Sequence, residues 1–161
     1  VDSPNTLPTK GRVFFTWIHA ILKASIAAKI ETDLKRSMIE KNELFKNELL
    51  KHVVEGIHEK KGKNINTIEL KGISGAVCDY FVICEGNTPT QVSALAESVE
   101  KMVLENVGER PLRVHGKQNA EWIGMDYGSV IVHIFLPELR NFYNIDLLWQ
   151  DARAVRIPSV D

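Results

Sequence analysis

A chain of 161 residues with 44% hydrophobic and 25% charged content has the length and apolar share of one globular domain with some additional chain, which excludes a disordered or fibrous protein. Its 20 Lys and Arg against 21 Asp and Glu leave a formal charge of −1, which argues against direct sequence-specific nucleic-acid binding or any partner held mainly by phosphate neutralisation. Two cysteines, Cys78 and Cys84, are too few for a disulfide scaffold and suit a reducing cytosol.

From Ser3 to Ile30 there is no Asp or Glu, while Lys10, Arg12, Lys23 and Lys29 punctuate an apolar stretch from Val13 to Ala28. His19 and Lys23 make it a poor membrane span, and it falls short of the roughly 20 residues that a spanning helix needs. Three origins stay open for residues 1–37: translated upstream or appended sequence, an organelle transit or secretory leader, and an amphipathic accessory helix. Met38 stands just ahead of Ile39-Glu40-Lys41-Asn42, where a self-contained domain would begin. The core fold is therefore expected over 38–161.

Between Glu43 and Lys60 the apolar residues Phe45, Leu49, Val53, Val54 and Ile57 recur at helical spacing, with Lys and Glu between them. Lys60-Lys61-Gly62 closes this helix. Ile65 to Leu70 alternates as a half-buried strand, and Tyr80-Phe81-Val82-Ile83-Cys84 reads as a fully buried one. Thr88-Pro89-Thr90-Gln91 opens a second helix with a capping residue, a proline in the first turn and a Gln three residues after the cap. Its apolar stripe is Val92, Leu95, Ala96, Val99, Met102 and Val103, and Asn106 to Gly108 stops it.

Pro111 to His115 is a short strand; Ala120 to Tyr127 and Ser129 to Leu136, joined at Gly128, make a hairpin. Trp122, Gly124 and Asp126 share one face of its first arm, and Ile123, Met125 and Tyr127 the other. Pro137 opens a short helix to Tyr143, Leu147-Leu148-Trp149 closes the apolar content, and the tail after Asp151 is expected to be loosely held. The order points to an α/β fold, a mixed sheet of about five strands flanked by helices.

Signs of catalysis are sparse. The chain has no phosphate-binding glycine loop, dinucleotide fingerprint or nucleophile elbow. His52 and His58 lie on different faces of the first helix, and His115 and His133 have no Cys or carboxylate at ligand spacing, so neither metal nor cofactor is expected. Asp79 resembles a nucleotidyltransferase carboxylate, but no second acid is placed to share Mg²⁺ with it. Gly86-Asn87-Thr88 is an anion cradle in form, although a cap and turn account for it more simply. Tyr80, Phe81, Cys84 and His133 read as packed structure.

Five segments in order carry a resemblance: Asp79-Tyr80-Phe81-Val82-Ile83, Pro111-Leu112-Arg113-Val114, Glu121-Trp122-Ile123-Gly124-Met125-Asp126-Tyr127-Gly128, Val130-Ile131-Val132-His133-Ile134-Phe135, and Arg140-Asn141-Phe142-Tyr143-Asn144-Ile145-Asp146-Leu147-Leu148-Trp149. Over roughly residues 44 to 152 the chain resembles the Iojap or ribosome-silencing family. That resemblance implies a nucleotidyltransferase-like fold without the catalytic carboxylates, no enzymatic activity and a cytoplasmic location. It implies docking on the large ribosomal subunit through ribosomal large-subunit protein fourteen, so that the small subunit is kept off and translation is repressed under nutrient limitation.

Carried over onto this chain, the docking residues are Trp122, Ile123, Met125, Asp126 and Tyr127. Ser129 and His115 stand where many members carry acids, which alters the charge pattern expected near the docking edge. Two other classes compete. Organelle relatives assist large-subunit assembly, and a nucleotidyltransferase-like enzyme would use Asp79. A homodimer through an exposed sheet edge is a further expectation for the free protein.

Overall fold

The computed structural model describes residues 9–161, with side chains described from Phe15 onward; residues 1–8 of the expected leader lie outside the described residues. By contacts the chain divides at Glu40 and Lys41. From Thr9 to Glu40 it is part of one helix, α1 (Thr9–Leu44). No proline or glycine follows Gly11 to interrupt that helix. Ion pairs one turn apart, Glu31 with Lys35 at 2.7 Å and Arg36 with Glu40 at 3.1 Å, line its surface.

From Lys41 to Asp161 the chain forms a mixed α/β unit. After the end of α1 come α2 (Glu48–Glu59), β1 (Lys63–Glu69), β2 (Tyr80–Glu85), α3 (Pro89–Val107), β3 (Arg113–His115) and β4 (Trp122–Asp126). They are followed by β5 (Val130–Phe135), α4 (Pro137–Tyr143), α5 (Ile145–Leu148) and β6 (Arg153–Ile157). The sheet is six-stranded in the order β3-β4-β5-β2-β1-β6. Only β2 and β5 run parallel; every other neighbouring pair is antiparallel.

The single helix expected over Glu43 to Lys60 is instead two. α1 ends at Leu44, and Asn47 caps α2 by accepting the Leu50 N–H on its side-chain oxygen at 3.2 Å. The apolar spacing runs straight through the break, so periodicity alone could not register it. The start of α3 matches its sequence signals. Thr88 Oγ1 accepts the Gln91 N–H at 3.1 Å, the Gln91 side chain accepts the Asn87 N–H at 2.8 Å, and Gly108 ends the helix in the left-handed region.

The α/β class and the mixed sheet of about five strands flanked by helices are as expected, and the sixth strand comes from the tail. The tail after Asp151, expected to be loose, forms β6 and pairs with β1 from Ile65 opposite Ile157 to Glu69 opposite Arg153. Val155 and Ile157 reach the core from this edge, while Arg153, Ala154 and Arg156 face solvent.

Helices α2 and α3 cover one face of the sheet. Leu50, Val53, Ile57, Leu95, Val99 and Val103 pack there against Val82, Cys84, Ile123, Met125, Val132 and Ile134, all but fully buried. Each such side chain contributes on the order of 1.5–3 kcal/mol of burial free energy. The two helices are in close contact at Gly56, where an added Cβ would lie 2.7 Å from Val99 Cα and where Ser98 Oγ donates to the Gly56 carbonyl at 2.8 Å. On the other face a smaller cluster of Ile68, Leu70, Phe81, Ile83 and Phe135 is capped by Leu139, Ile145 and Trp149 from α4, α5 and the turn that follows. That cap reaches Trp122 at the start of β4 but leaves β3 and the rest of β4 open on this face.

Candidate docking groove

The uncovered part of the sheet is a groove of about 490 Å³ lined by Arg113, His115, Gly116, Trp122, Gly124, Asp126, Ile131 and His133. Strand periodicity builds it. The register sets Trp122 opposite Phe135, Gly124 opposite His133 and Asp126 opposite Ile131, so alternate residues of β4 and β5 share this face. β3 adds Arg113, paired in register with Asp126, and His115, paired with Gly124.

Trp122 occupies the end of the groove nearest α4, half-buried. Its indole stacks on Phe135 with ring centroids 4.7 Å apart and an interplanar angle of 24°, and meets Tyr143 at 4.9 Å. Its Nε1–H donates to His133 Nδ1 at 3.2 Å. His133 is edge-on to Phe81 at 4.8 Å. Burial pushes the His133 pKa down to about 4 against a smaller opposing effect of the Asp146 charge, so the ring is neutral at physiological pH.

Asp126 sits at the far end of β4. Its Oδ1 accepts the Gly128 N–H at 2.8 Å and shapes the hairpin turn, while Gly128 takes a φ of +85°. No partner of its second oxygen is found among the described residues.

The five residues expected at the docking surface divide by strand face. Trp122 and Asp126 line the groove, but Ile123 and Met125 are fully buried under the helices and Tyr127 is 6% exposed. These three pack the back of the strand that carries the groove. The Tyr127 hydroxyl is buried with no hydrogen-bond partner among the described residues, and desolvation pushes its pKa up.

Sequence reasoning missed the apolar surface beside Trp122. Phe142 and Tyr143 are exposed on α4, with ring centroids 5.1 Å apart. Leu147 and Leu148 on α5 are exposed too, and of the closing apolar trio only Trp149 packs inward, 6.1 Å from Phe81. The signal was a helix of seven residues followed by one of four, too short to hide both faces.

The other sequence candidates carry less. Asp79 is exposed, and its backbone N–H is spent on the Ser129 carbonyl at 2.9 Å. In the turn before α3 the Gly86 N–H goes to the Phe135 carbonyl at 2.9 Å and the Asn87 N–H to the Gln91 side chain at 2.8 Å. His52 lies between Glu48 and Glu55 on its own helix, while His58 bonds the Pro158 carbonyl. Cys84 is buried, with its thiol pushed up to about 12 by desolvation. Among the described residues no group of three His, Cys, Asp or Glu could hold a metal ion, and no helix is long and apolar enough to cross a membrane.

Residues 43–161 match the family model described as "Ribosomal silencing factor during starvation". The ribosomal silencing factor of Halalkalibacterium halodurans is 37% identical over 113 residues, covering 70% of this chain and 95% of that protein. The mouse protein named "Mitochondrial assembly of ribosomal large subunit protein 1" is 33% identical over 73 residues, covering 44% of this chain and 32% of that protein. A crystal structure of a Chromobacterium violaceum protein superposes with a TM-score of 0.60 at 31% identity, covering 64% of this chain and 84% of that one. The chain belongs to the ribosomal silencing factor family, the Iojap-like proteins that regulate translation.

Proposed function

We propose that this protein is a cytoplasmic, non-enzymatic silencing factor that docks through the Trp122 groove on ribosomal large-subunit protein fourteen and keeps the small subunit from joining under nutrient limitation. The observation that carries it is the uncovered sheet face itself, in a chain of this family. A half-buried tryptophan stands there beside exposed Tyr143 and Phe142, with Asp126 and Arg113 at the rim. Aromatic anchors ringed by polar groups are the usual energetic centre of a protein interface. Asp126 serves orientation and on-rate by meeting a basic partner residue. Ile123, Met125 and Tyr127 act from behind, holding the strand flat against α3.

No chemical step is required. When the bound domain occupies space that the small subunit needs, the two binding events exclude each other. At a free concentration about 100 times its Kd, the apparent affinity between subunits falls about a hundredfold by mass action. In the free state, two copies pair through an exposed sheet edge, for which the outer strands β3 and β6 offer unpaired backbone groups.

The similarity to the mouse assembly protein favours a second reading, in which the same face binds the large subunit during its maturation. Light-scattering measurement of subunit joining separates the two. Silencing predicts that the full chain suppresses joining of mature subunits in a dose-dependent way, whereas undiminished joining at saturating protein would leave assembly.

A further inference from the structure

Trp122 is held by contacts of two kinds, and they constrain it differently. Stacking on Phe135 and the tilted contact with Tyr143 fix the plane of the indole. Neither fixes which edge of the ring faces the groove, because an indole turned over within its own plane stacks nearly as well. The bond from Nε1–H to His133 Nδ1 is directional, and it distinguishes the two orientations.

The imidazole makes that bond at a cost. Its Nε2 is buried with no partner among the described residues, and a side chain of carbon alone would fill the space without stranding a polar atom. The geometry selects one form of the ring. Nδ1 accepts, so the proton of the neutral imidazole sits on Nε2. Phe81 and Phe135 hold the ring in place, edge-on and stacked. Gly124, opposite His133 in the register, puts no side chain between it and the diagonal Trp122.

We propose that His133 is a positioning residue for docking: its unprotonated Nδ1 sets the indole of Trp122 in the single orientation that the groove presents to a ribosomal protein. The inference rests on the docking role of the Trp122 face, and it explains why a half-buried histidine stands on a strand otherwise built of apolar residues. An anchor oriented before contact loses less freedom on binding, and its effect falls on affinity rather than on fold.

Two substitutions in the full chain separate the acceptor from the ring. His133→Phe keeps an aromatic and removes the acceptor; His133→Asn keeps a short polar acceptor near the Nδ1 position. The indole N–H of Trp122, identified among those of the three tryptophans by its loss in Trp122→Phe, is followed by nitrogen-proton correlation NMR. It is expected to exchange slowly in the parent and His133→Asn proteins and quickly in His133→Phe. Binding to purified large subunits is expected to weaken about tenfold in His133→Phe, to recover in His133→Asn, and to be unaffected by His133→Phe when Trp122→Ala is already present.

A protected indole N–H in His133→Phe, or parental affinity in that variant, would overturn the proposal while leaving the docking face intact. An equal further loss in the Trp122→Ala background would overturn it as well, by showing that His133 acts apart from Trp122. Should His133→Phe not fold, the same comparisons made with His133→Leu decide. If the parent chain binds no large subunit, the docking reading falls and this inference falls with it.

Discussion

The guanidinium of Arg140 on α4 lies 3.1 Å from the carboxylate of Glu85 at the end of β2, both side chains only 12% exposed. The same group donates to Asp146 on α5 at 3.0 Å and to the Asn64 carbonyl on the strand beyond. One side chain thus ties α4 and α5 to the ends of β1 and β2. This clamp keeps Tyr143 against Trp122 and leaves Phe142 exposed beside it.

Replacing Arg140 by Ala strands two carboxylates in a poorly solvated site. Losing one partner of a buried pair costs about 3 kcal/mol, most of it the charge left behind. Chemical denaturation should show a midpoint lowered accordingly with little change of slope. An unaltered midpoint would mean that the clamp adds nothing to stability.

Acid should weaken the fold in a defined window. The folded pKa of His133, lowered from 6.5 to about 4 by burial, means that the unfolded chain binds a proton more readily. Stability is therefore full above the unfolded value and declines as pH falls from about 6.5 to about 4, by on the order of 3 kcal/mol. Below that, Asp146 adds a loss. Burial raises its pKa, but hydrogen bonds from Arg140 and Asn66 and the Arg140 charge outweigh that and hold it below the ordinary value. Unfolding curves from pH 7 to pH 4 should show the decline in the parent and a flatter profile in His133→Phe; identical slopes would refute the assignment.

Two adjacent residues should fail in different ways. Ile123→Ala empties a fully buried site under α3 and is expected to cost about 2–5 kcal/mol of stability. Trp122→Ala should keep the fold and cost about 2 kcal/mol of binding, roughly thirtyfold in affinity. Circular dichroism and thermal melting beside a binding curve separate them. An unfolded Trp122→Ala chain would make Trp122 a core residue.

Gly116 precedes β4 at a φ of +85°, and a Cβ there would fall on the Trp122 carbonyl oxygen. Gly116→Ala adds backbone strain of about 1 kcal/mol or more to that collision. It should displace the strand that carries the groove, lowering both the melting temperature and large-subunit affinity. Parental values of both would show that the turn yields freely.

What the sequence disclosed followed the range of the interactions involved. The start of α3 was legible because Thr88, Pro89 and Gln91 act on one another within a single turn. β6 was not, because Arg153 to Ile157 alternates weakly and becomes a strand by pairing with β1, more than eighty residues earlier. Period two correctly separated Trp122 and Asp126 from Ile123, Met125 and Tyr127, but it could not say which set the helices would cover. The link from Trp122 to His133 needed the hairpin register as well, since the two meet diagonally across strands. Phe142 and Leu148 have side chains like those of core residues, and only tertiary placement shows them exposed.

Sucrose-gradient co-sedimentation of the full chain with separated ribosomal subunits, with and without Trp122→Ala, tests the central claim most directly. Migration with the large subunit alone, lost in the folded variant, is the predicted result. Migration with neither subunit, or with the large subunit to the same extent in the variant, would contradict a docking face built around Trp122.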